Sequence, residues 1–237
     1  YCSALETISL PDGITAIRYR AFSATALKKV NFAGTAEQWN SIAIDASNTV
    51  LLDADIYCGG ELQENPVVAG GNCSYYDPVK WTLDRNGKLT IYGSGKMHNY
   101  NAPGSTAGSS GGGSNDAPWW SMHSYVKSLE IQEGVTSVGQ YAFYDLMGLT
   151  EVVIPESVLT VEEDAFRDCT SLVNVEILGP VDYIDYHVFN GCSSLTAIDI
   201  PDGVTSIGEY AFYDCGALTS ITIPSGVTSI EDGVFSG

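Results

Sequence analysis

The chain has 237 residues, with 10 Lys+Arg against 29 Asp+Glu, a formal net charge of −19 and a sequence pI of about 4.1. Only 16% of residues are charged while 44% are hydrophobic and 11% aromatic, enough apolar content to build a core and exclude a disordered acidic tail. Ten scattered cations form no basic patch, which excludes nucleic acid as a partner and an anionic membrane surface as a support.

The length allows one or two domains. No apolar run approaches the ~18 residues of a membrane helix, so no membrane insertion is expected. The chain opens on Tyr1 rather than Met, and both ends read as the middle of a structural unit. The expectation is a piece of a longer protein, whose missing targeting signals say nothing about its compartment.

A repeat of 23 residues organises the rest. Phe143, Phe166, Phe189, Phe212 and Phe235 recur at that step, as do Leu149, Leu172, Leu195 and Leu218, and Ile131, Ile154, Ile177, Ile200 and Ile223. Such self-similarity is the mark of a solenoid, in which each unit buries its apolar side only against its neighbours. The unit reads Leu-x-x-Ile-x-Ile-Pro-x-x-Val-x-x-Ile-x-x-x-Ala-Phe-x-x-Cys. Leu-x-x-Ile-x-Ile predicts a short strand, and the following Pro, without an amide hydrogen, ends its ladder. Val-x-x-Ile predicts a second, shorter extended segment, and Ala-Phe-x-x-Cys a turn of α- or 3₁₀-helix.

In chain order, the pattern first appears as Leu5, Ile8, Leu10-Pro11, Ile14, Ile17 and Ala21-Phe22, with Leu27 one residue early. This array is expected to end near residue 32. Thr35 is then placed to cap a helix over 36–42, with Trp39 and Ile42 on one face, covering the end of the array. The stretch from Gly59-Gly60 to Gly70-Gly71 reads as a connector. Trp81-Thr-Leu83 and Leu89-Thr-Ile91 alternate with period two about Asp84-Arg85-Asn86-Gly87, a β-hairpin. With Trp119 and Trp120 it is expected to cap the start of a second array. The Gly/Ser-rich residues 101–115 read as a mobile surface loop. The organisation is therefore 1–58, the end of a first array with its cap helix; 59–125, connector, hairpin cap and loop; and 126–237, a second array.

These units resemble the BspA-like leucine-rich repeat family of bacterial surface and secreted proteins. The match rests on Ile-Pro-x-x-Val-x-x-Ile-x-x-x-Ala-Phe-x-x-Cys-x-x-Leu in both arrays, with Gly34-Thr35-Ala36-Glu37-Gln38-Trp39 and the 81–91 hairpin as elements that recur between repeat blocks. The resemblance implies an extracellular or cell-surface location in a bacterium and adhesion to a host matrix protein, a glycan or another cell. It carries no catalytic residue, cofactor or metal.

Candidate chemistry is sparse. Cys169, Cys192 and Cys215 share one column, which Cys2 also fits, and a single column suits a small buried hydrophobe better than a metal site with converging ligands. Cys58 and Cys73 flank the Gly-rich connector; a disulfide in an oxidising compartment and two free thiols both remain open. Gly108-Ser109-Ser110-Gly111-Gly112 has hydrolase-like spacing without the strand and helix that would strain a nucleophile. His98 and His123 read as structural and His187 as solvated. No acidic calcium loop occurs, and Asn72-Cys73-Ser74 is a sequon idle in most bacteria.

The candidate site is a face. Residues between the two isoleucines of each strand point away from the core, giving the column Glu130, Val153, Glu176, Asp199 and Thr222. Beside it runs Ser128, Glu151, Asn174, Ala197 and Ser220. This polar stripe is expected to meet a protein or glycan partner, an ordinary solvated face being the alternative. The chain is thus read as a monomeric, non-enzymatic binding or adhesion module with no cofactor. The rival reading is a spacer or targeting arm of a larger surface enzyme.

Overall fold

A computed structural model describes residues 2–102 and 116–237; the loop expected over 101–115 and the Gly-x-Ser-x-Gly spacing fall wholly or largely outside them. The chain coils into a β-solenoid of about eight turns, and three sides of each coil follow from the three parts of the repeat.

The first array contributes strands β1 (Thr7–Leu10), β2 (Ala16–Ile17) and β3 (Lys29–Phe32), then helix α1 (Ala36–Asn40), β4 (Ala43–Ile44) and β5 (Asp55–Cys58). Strands β1, β3 and β5 form one parallel ladder, with Thr7 opposite Lys29 and Lys29 opposite Asp55. The array therefore does not end near residue 32, because a further, longer coil carries it to Cys58. Helix α1 has the expected cap: Thr35 Oγ1 accepts from the Gln38 amide at 3.2 Å and Gln38 Oε1 from the Thr35 amide at 2.8 Å. It does not cover the end of the array. It forms the flank of the added coil, where fully buried Trp39 meets Phe32 edge-on at 5.6 Å and donates to the Val67 carbonyl at 2.8 Å. Ile42 is buried beside it, just past the helix.

Past Gly59 and Gly60, the short β6 (Glu61–Leu62) runs back on β5 and closes that ladder. The supposed connector contains β7 (Val67–Asn72), which pairs antiparallel with β4 through Ile44 and Gly70. The expected hairpin is β8 (Lys80–Asp84) and β9 (Lys88–Tyr92), with Trp81 opposite Ile91 and Leu83 opposite Leu89. Its turn is held by Asp84 Oδ1, which accepts from the Lys88 amide at 2.9 Å, and by Gly87 at φ +87°.

β10 (Gly95–Lys96) follows, then β11 (Ser128–Ile131) and β12 (Val135–Val138). β9 lies parallel to β11 and β10 to β12. The hairpin thus supplies an irregular first coil of the second array rather than a lid on it. One six-stranded sheet, in the order β11-β9-β8-β7-β4-β2, joins the two arrays. In it the second ladder of the first array continues into the first ladder of the second array.

The regular coils carry β13 (Glu151–Ile154), β14 (Thr160–Val161), β15 (Asn174–Ile177), β16 (Tyr183–Ile184), β17 (Ala197–Ile198) and β18 (Ser206–Ile207). β13, β15 and β17 form one parallel ladder, with Glu151 opposite Asn174 and Asn174 opposite Ala197. β12 pairs with β14, and β16 with β18.

The third side departs from expectation, for Ala-Phe-x-x-Cys forms no helical turn. Tyr141 and Asp145, Asp164 and Asp168, and Tyr210 and Asp214 all take left-handed backbone, with φ between 53° and 60°. A left-handed residue costs ~1–2 kcal/mol. Two per coil turn alternate amides along the solenoid axis, where they bond to the next coil instead of within a helix. Asp164, Phe166 and Asp168 donate to the carbonyls of Tyr186, Val188 and Asn190 at 3.1, 3.0 and 2.7 Å, and these bonds offset the strain.

Inside, Phe143, Phe166, Phe189, Phe212 and Phe235 stack at 5.3–5.8 Å, and Trp119 extends the column at 5.8 Å from Phe143. The Cys169, Cys192 and Cys215 thiols donate to the carbonyls of Phe143, Phe166 and Phe189 at 3.1–3.3 Å. Cys2 differs, being exposed. All six cysteines are free thiols, with Cys58 and Cys73 buried in different parts of the fold; burial pushes the Cys73 thiol up to about 12. Among the described residues no helix is long and apolar enough to cross a membrane.

Candidate binding faces

Strand alternation places the outward columns as expected: Val152 and Ile154 are buried, while Glu151 and Val153 face out. The ladder sets Val153 beside Glu176 and Glu151 beside Asn174. Asp199 and Thr222 are exposed in the same line but lie beyond the hydrogen-bonded strands. Glu130 is less free. Lys88 of the hairpin, 2.5 Å away, hydrogen-bonds its carboxylate and holds it below the usual carboxylate range. Between Asn174, Glu176, Ala197 and Asp199 the face has only a shallow depression of about 160 Å³, below the ~300 Å³ of a small-molecule pocket. It suits an extended contact.

A second face runs along the left-handed turns. Residues 126–237 hold eighteen of the 29 acidic residues but only two of the ten Lys and Arg. The turn segments 139–147, 162–170, 185–193, 208–216 and 231–237 alone carry ten of these carboxylates and a single Arg. Aromatic rings interleave them: Trp120 and Tyr141 lie 5.8 and 6.0 Å from Tyr144, and Tyr210 lies 5.8 Å from Tyr213. The Tyr144 hydroxyl is pushed up to about 12, by burial first and then by Asp168, to which it hydrogen-bonds. Tyr141/Tyr144 and Tyr210/Tyr213 occupy equivalent repeat positions, a signal present in the sequence. Reading the segment as a helix hid their common face.

The histidines are placed by packing. His187 is half-buried rather than solvated, its ring stacked on Tyr210 at 5.3 Å and 6°. His98 sits between Tyr75 and Tyr100 at 4.3 and 5.4 Å, and His123 Nδ1 lies 2.7 Å from the Trp120 carbonyl. Glu163, Asp164 and His187 bring potential ligand atoms within 4.8 Å of one another. Both carboxylates already have partners: Gln140 donates to Glu163 at 2.9 Å, and Arg167 to Asp164 at 3.2 Å. Both carboxylates are thus already engaged by protein donors.

Burial raises the carboxyl pKa of both Asp145 and Glu163, with Asp168 adding to the first, and Asp164 and Asp185 to the second. A carboxyl raised on folding contributes stability that is complete below its unfolded value and lost as pH rises through the folded one. The melting temperature is therefore expected to rise as pH falls from neutral toward the ordinary carboxylate values of about 4. Calorimetry across that range checks this; a monotonic fall on acidification contradicts it.

Parallel ladders, an inward Leu/Ile/Phe column and inter-coil turns define a leucine-rich repeat solenoid. The BspA type leucine rich repeat region model matches residues 1–50 and 121–237 in six copies, and the chain belongs to that family. A leucine-rich repeat protein from Eubacterium ventriosum is similar in fold, with a TM-score of 0.52 and 22% identity over 69% of this chain and 45% of its own. A leucine rich cell surface protein from Faecalibacterium prausnitzii has a TM-score of 0.46 and 24% identity over 99% of this chain and 58% of its own. The chain thus spans about half the length of these two proteins. No curated protein matches it.

Proposed function

We propose that this chain is a non-enzymatic binding or adhesion module of a bacterial surface or secreted protein, acting as a monomer on a protein or glycan partner. The observation that carries this reading is the strand face, where outward side chains of successive coils stand in register over a surface without a small-molecule pocket. Repeat arrays bind through such extended rows. Membership of the BspA-type repeat family supports the surface location and the non-catalytic role.

The test is a matrix-protein and glycan array probed with the purified fragment. Once a partner is found, Glu176→Lys with Asp199→Lys is expected to weaken binding at least ~10-fold, as reversed charges at a polar contact do, with the melting temperature unchanged because both side chains are exposed. Unchanged affinity removes the strand face as the site. A fragment that binds nothing, within a reading frame that appends a hydrolase domain, supports the spacer or targeting arm instead.

A further inference from the structure

We propose that the junction between the two arrays holds a saccharide site, a groove that takes the end of a neutral glycan. It is separate from the strand face and stands or falls without it. The groove forms where the shared sheet changes its buried side. Ile44 of β4 stands opposite Gly70 of β7, Gly70 opposite Thr82 of β8, and Gly71 opposite Trp81. Paired residues share a face and neighbours along a strand alternate. The face that buries Ile17 and Ile44 in the first array is therefore the one that turns Thr82 outward in the second. Ala16 and Ala43, on the opposite side, share a face with Trp81, which is buried in the second array. Where that face passes from outside to inside, Ala16, Ala43 and Gly71 have too little side chain to fill it. They line a groove of about 450 Å³, within the ~300–1,000 Å³ of ligand clefts.

The indole of Trp81 carries the proposal. Trp39, Trp81 and Trp119 are all buried, at 0–2% exposure. Trp39 donates to the Val67 carbonyl and Trp119 to the Ala142 carbonyl. Trp81 Nε1 has no hydrogen-bond partner among the described residues. A buried N–H without an acceptor is costly, and this one opens on the groove. A β-carbon at Gly71 would stand 3.7 Å from Trp81 Nε1, with nothing else within 4 Å among the described residues. The glycine thus leaves the donor uncovered. Arg18, Tyr19, Asp45 and Asn72 complete the lining. Asp45 Oδ1 accepts from the Ser47 amide and hydroxyl at 2.9 and 2.6 Å, which fixes the carboxylate in place. The groove therefore offers donors from Trp81 and Arg18, an acceptor from Asp45, and both from Asn72. One cation and one anion make it neutral in a chain of net charge −19. Sugar hydroxyls donate and accept at once, whereas an anion would meet Asp45 and a cation Arg18 and the indole N–H. The Tyr19 ring, with Arg20 over one side at 5.0 Å, is still 66% exposed. It supplies a flat apolar surface for the C–H face of a sugar ring.

The experiment titrates the isotope-labelled fragment with lactose, maltotriose, cellotriose and N-acetylchitotriose, each up to ~10 mM, at low and high salt. The indole N–H signals are followed by NMR. At least one sugar is expected to bind, without dependence on salt, and to shift the Trp81 signal, identified by its loss in Trp81→Phe. The Trp39 and Trp119 signals, already bonded within the chain, are expected to stay in place. Gly71→Val lays methyl groups over the indole at a strand position whose backbone is not left-handed. It is expected to weaken the sugar at least ~10-fold by covering the N–H, and Tyr19→Ser ~5-fold or more by removing the ring. Glu176→Gln with Asp199→Asn on the strand face is expected to leave the affinity unchanged. Binding of none of the four sugars overturns the proposal, as does a bound sugar that leaves the Trp81 signal in place or both groove variants at wild-type affinity. Salt-sensitive binding of sialyllactose, tighter than that of any neutral sugar, also overturns it. If Gly71→Val does not fold, Tyr19→Ser and the Trp81 signal decide. A fragment that binds a matrix protein through the strand face and none of these sugars refutes the groove alone; one that binds neither refutes the module reading as well.

Discussion

Phe189→Ala is expected to destabilise the second array by ~3–5 kcal/mol, the cost of removing a buried aromatic ring. Phe189 is 1% exposed and lies between Phe166 at 5.8 Å and Phe212 at 5.6 Å, nearly parallel to both. A single gap there touches two neighbouring coils, and a solenoid is held chiefly by such nearest-neighbour contacts. The hydrogen bonds at that coil cannot compensate. The Phe189 amide donates to Ala211 and its carbonyl accepts from the Cys215 thiol, so any collapse that filled the cavity would stretch both. Phe235→Ala is the internal control. Its ring stacks on Phe212 but is 44% exposed, so the loss should be less than half as large. Urea unfolding followed by circular dichroism measures the difference; equal losses at the two positions would falsify the account of a continuous ring column.

Trp119→Ala is expected to cost a similar ~3–5 kcal/mol, through a residue outside the regular repeats. Its ring begins the column on Phe143, meets Trp81 and Tyr100 edge-on at 5.5 and 5.6 Å, and its indole donates to the Ala142 carbonyl at 2.9 Å. Trp119 thus takes the place of the repeat phenylalanine in the irregular coil built from the hairpin. That role makes a distinctive prediction. Trp119→Phe should recover more than half of the loss, because a ring fills the column, while the Ala142 carbonyl goes without its donor at ~1 kcal/mol. Trp119→Leu should recover less. If Phe and Leu restore stability equally, the column is ordinary apolar packing with no preference for a stacked ring.

Much of this architecture is legible in the sequence. The 23-residue columns announce the parallel ladders, the inward face and the outward stripe, because strand alternation leaves one choice of side once Ile and Leu are buried. Thr35 and Gln38 announce their cap, and Asp84 to Gly87 their hairpin, since both depend on neighbours within four residues. The failures share a physical cause. The Ala-Phe segment looks helical by its local composition, but its alternate amides bond to the next coil, a partner 22 residues away. Trp39 and Ile42 look like a cap because their apolar face needs a cover, and nothing nearby says that the cover is another coil. His187 looks solvated until Tyr210 of the next coil is stacked on it.

By itself, the sequence determined the repeat, the family and the fact that the charge lies outside the core, since each follows from identity at fixed spacing. Tertiary structure alone decided where that charge gathers and how the arrays join. Left-handed turns bring Asp, Glu and Tyr from successive coils onto one side, and the antiparallel β7, β8 and β9 carry the second ladder of one array into the first ladder of the next. Both depend on hydrogen bonds between distant segments, which local pattern and composition do not encode.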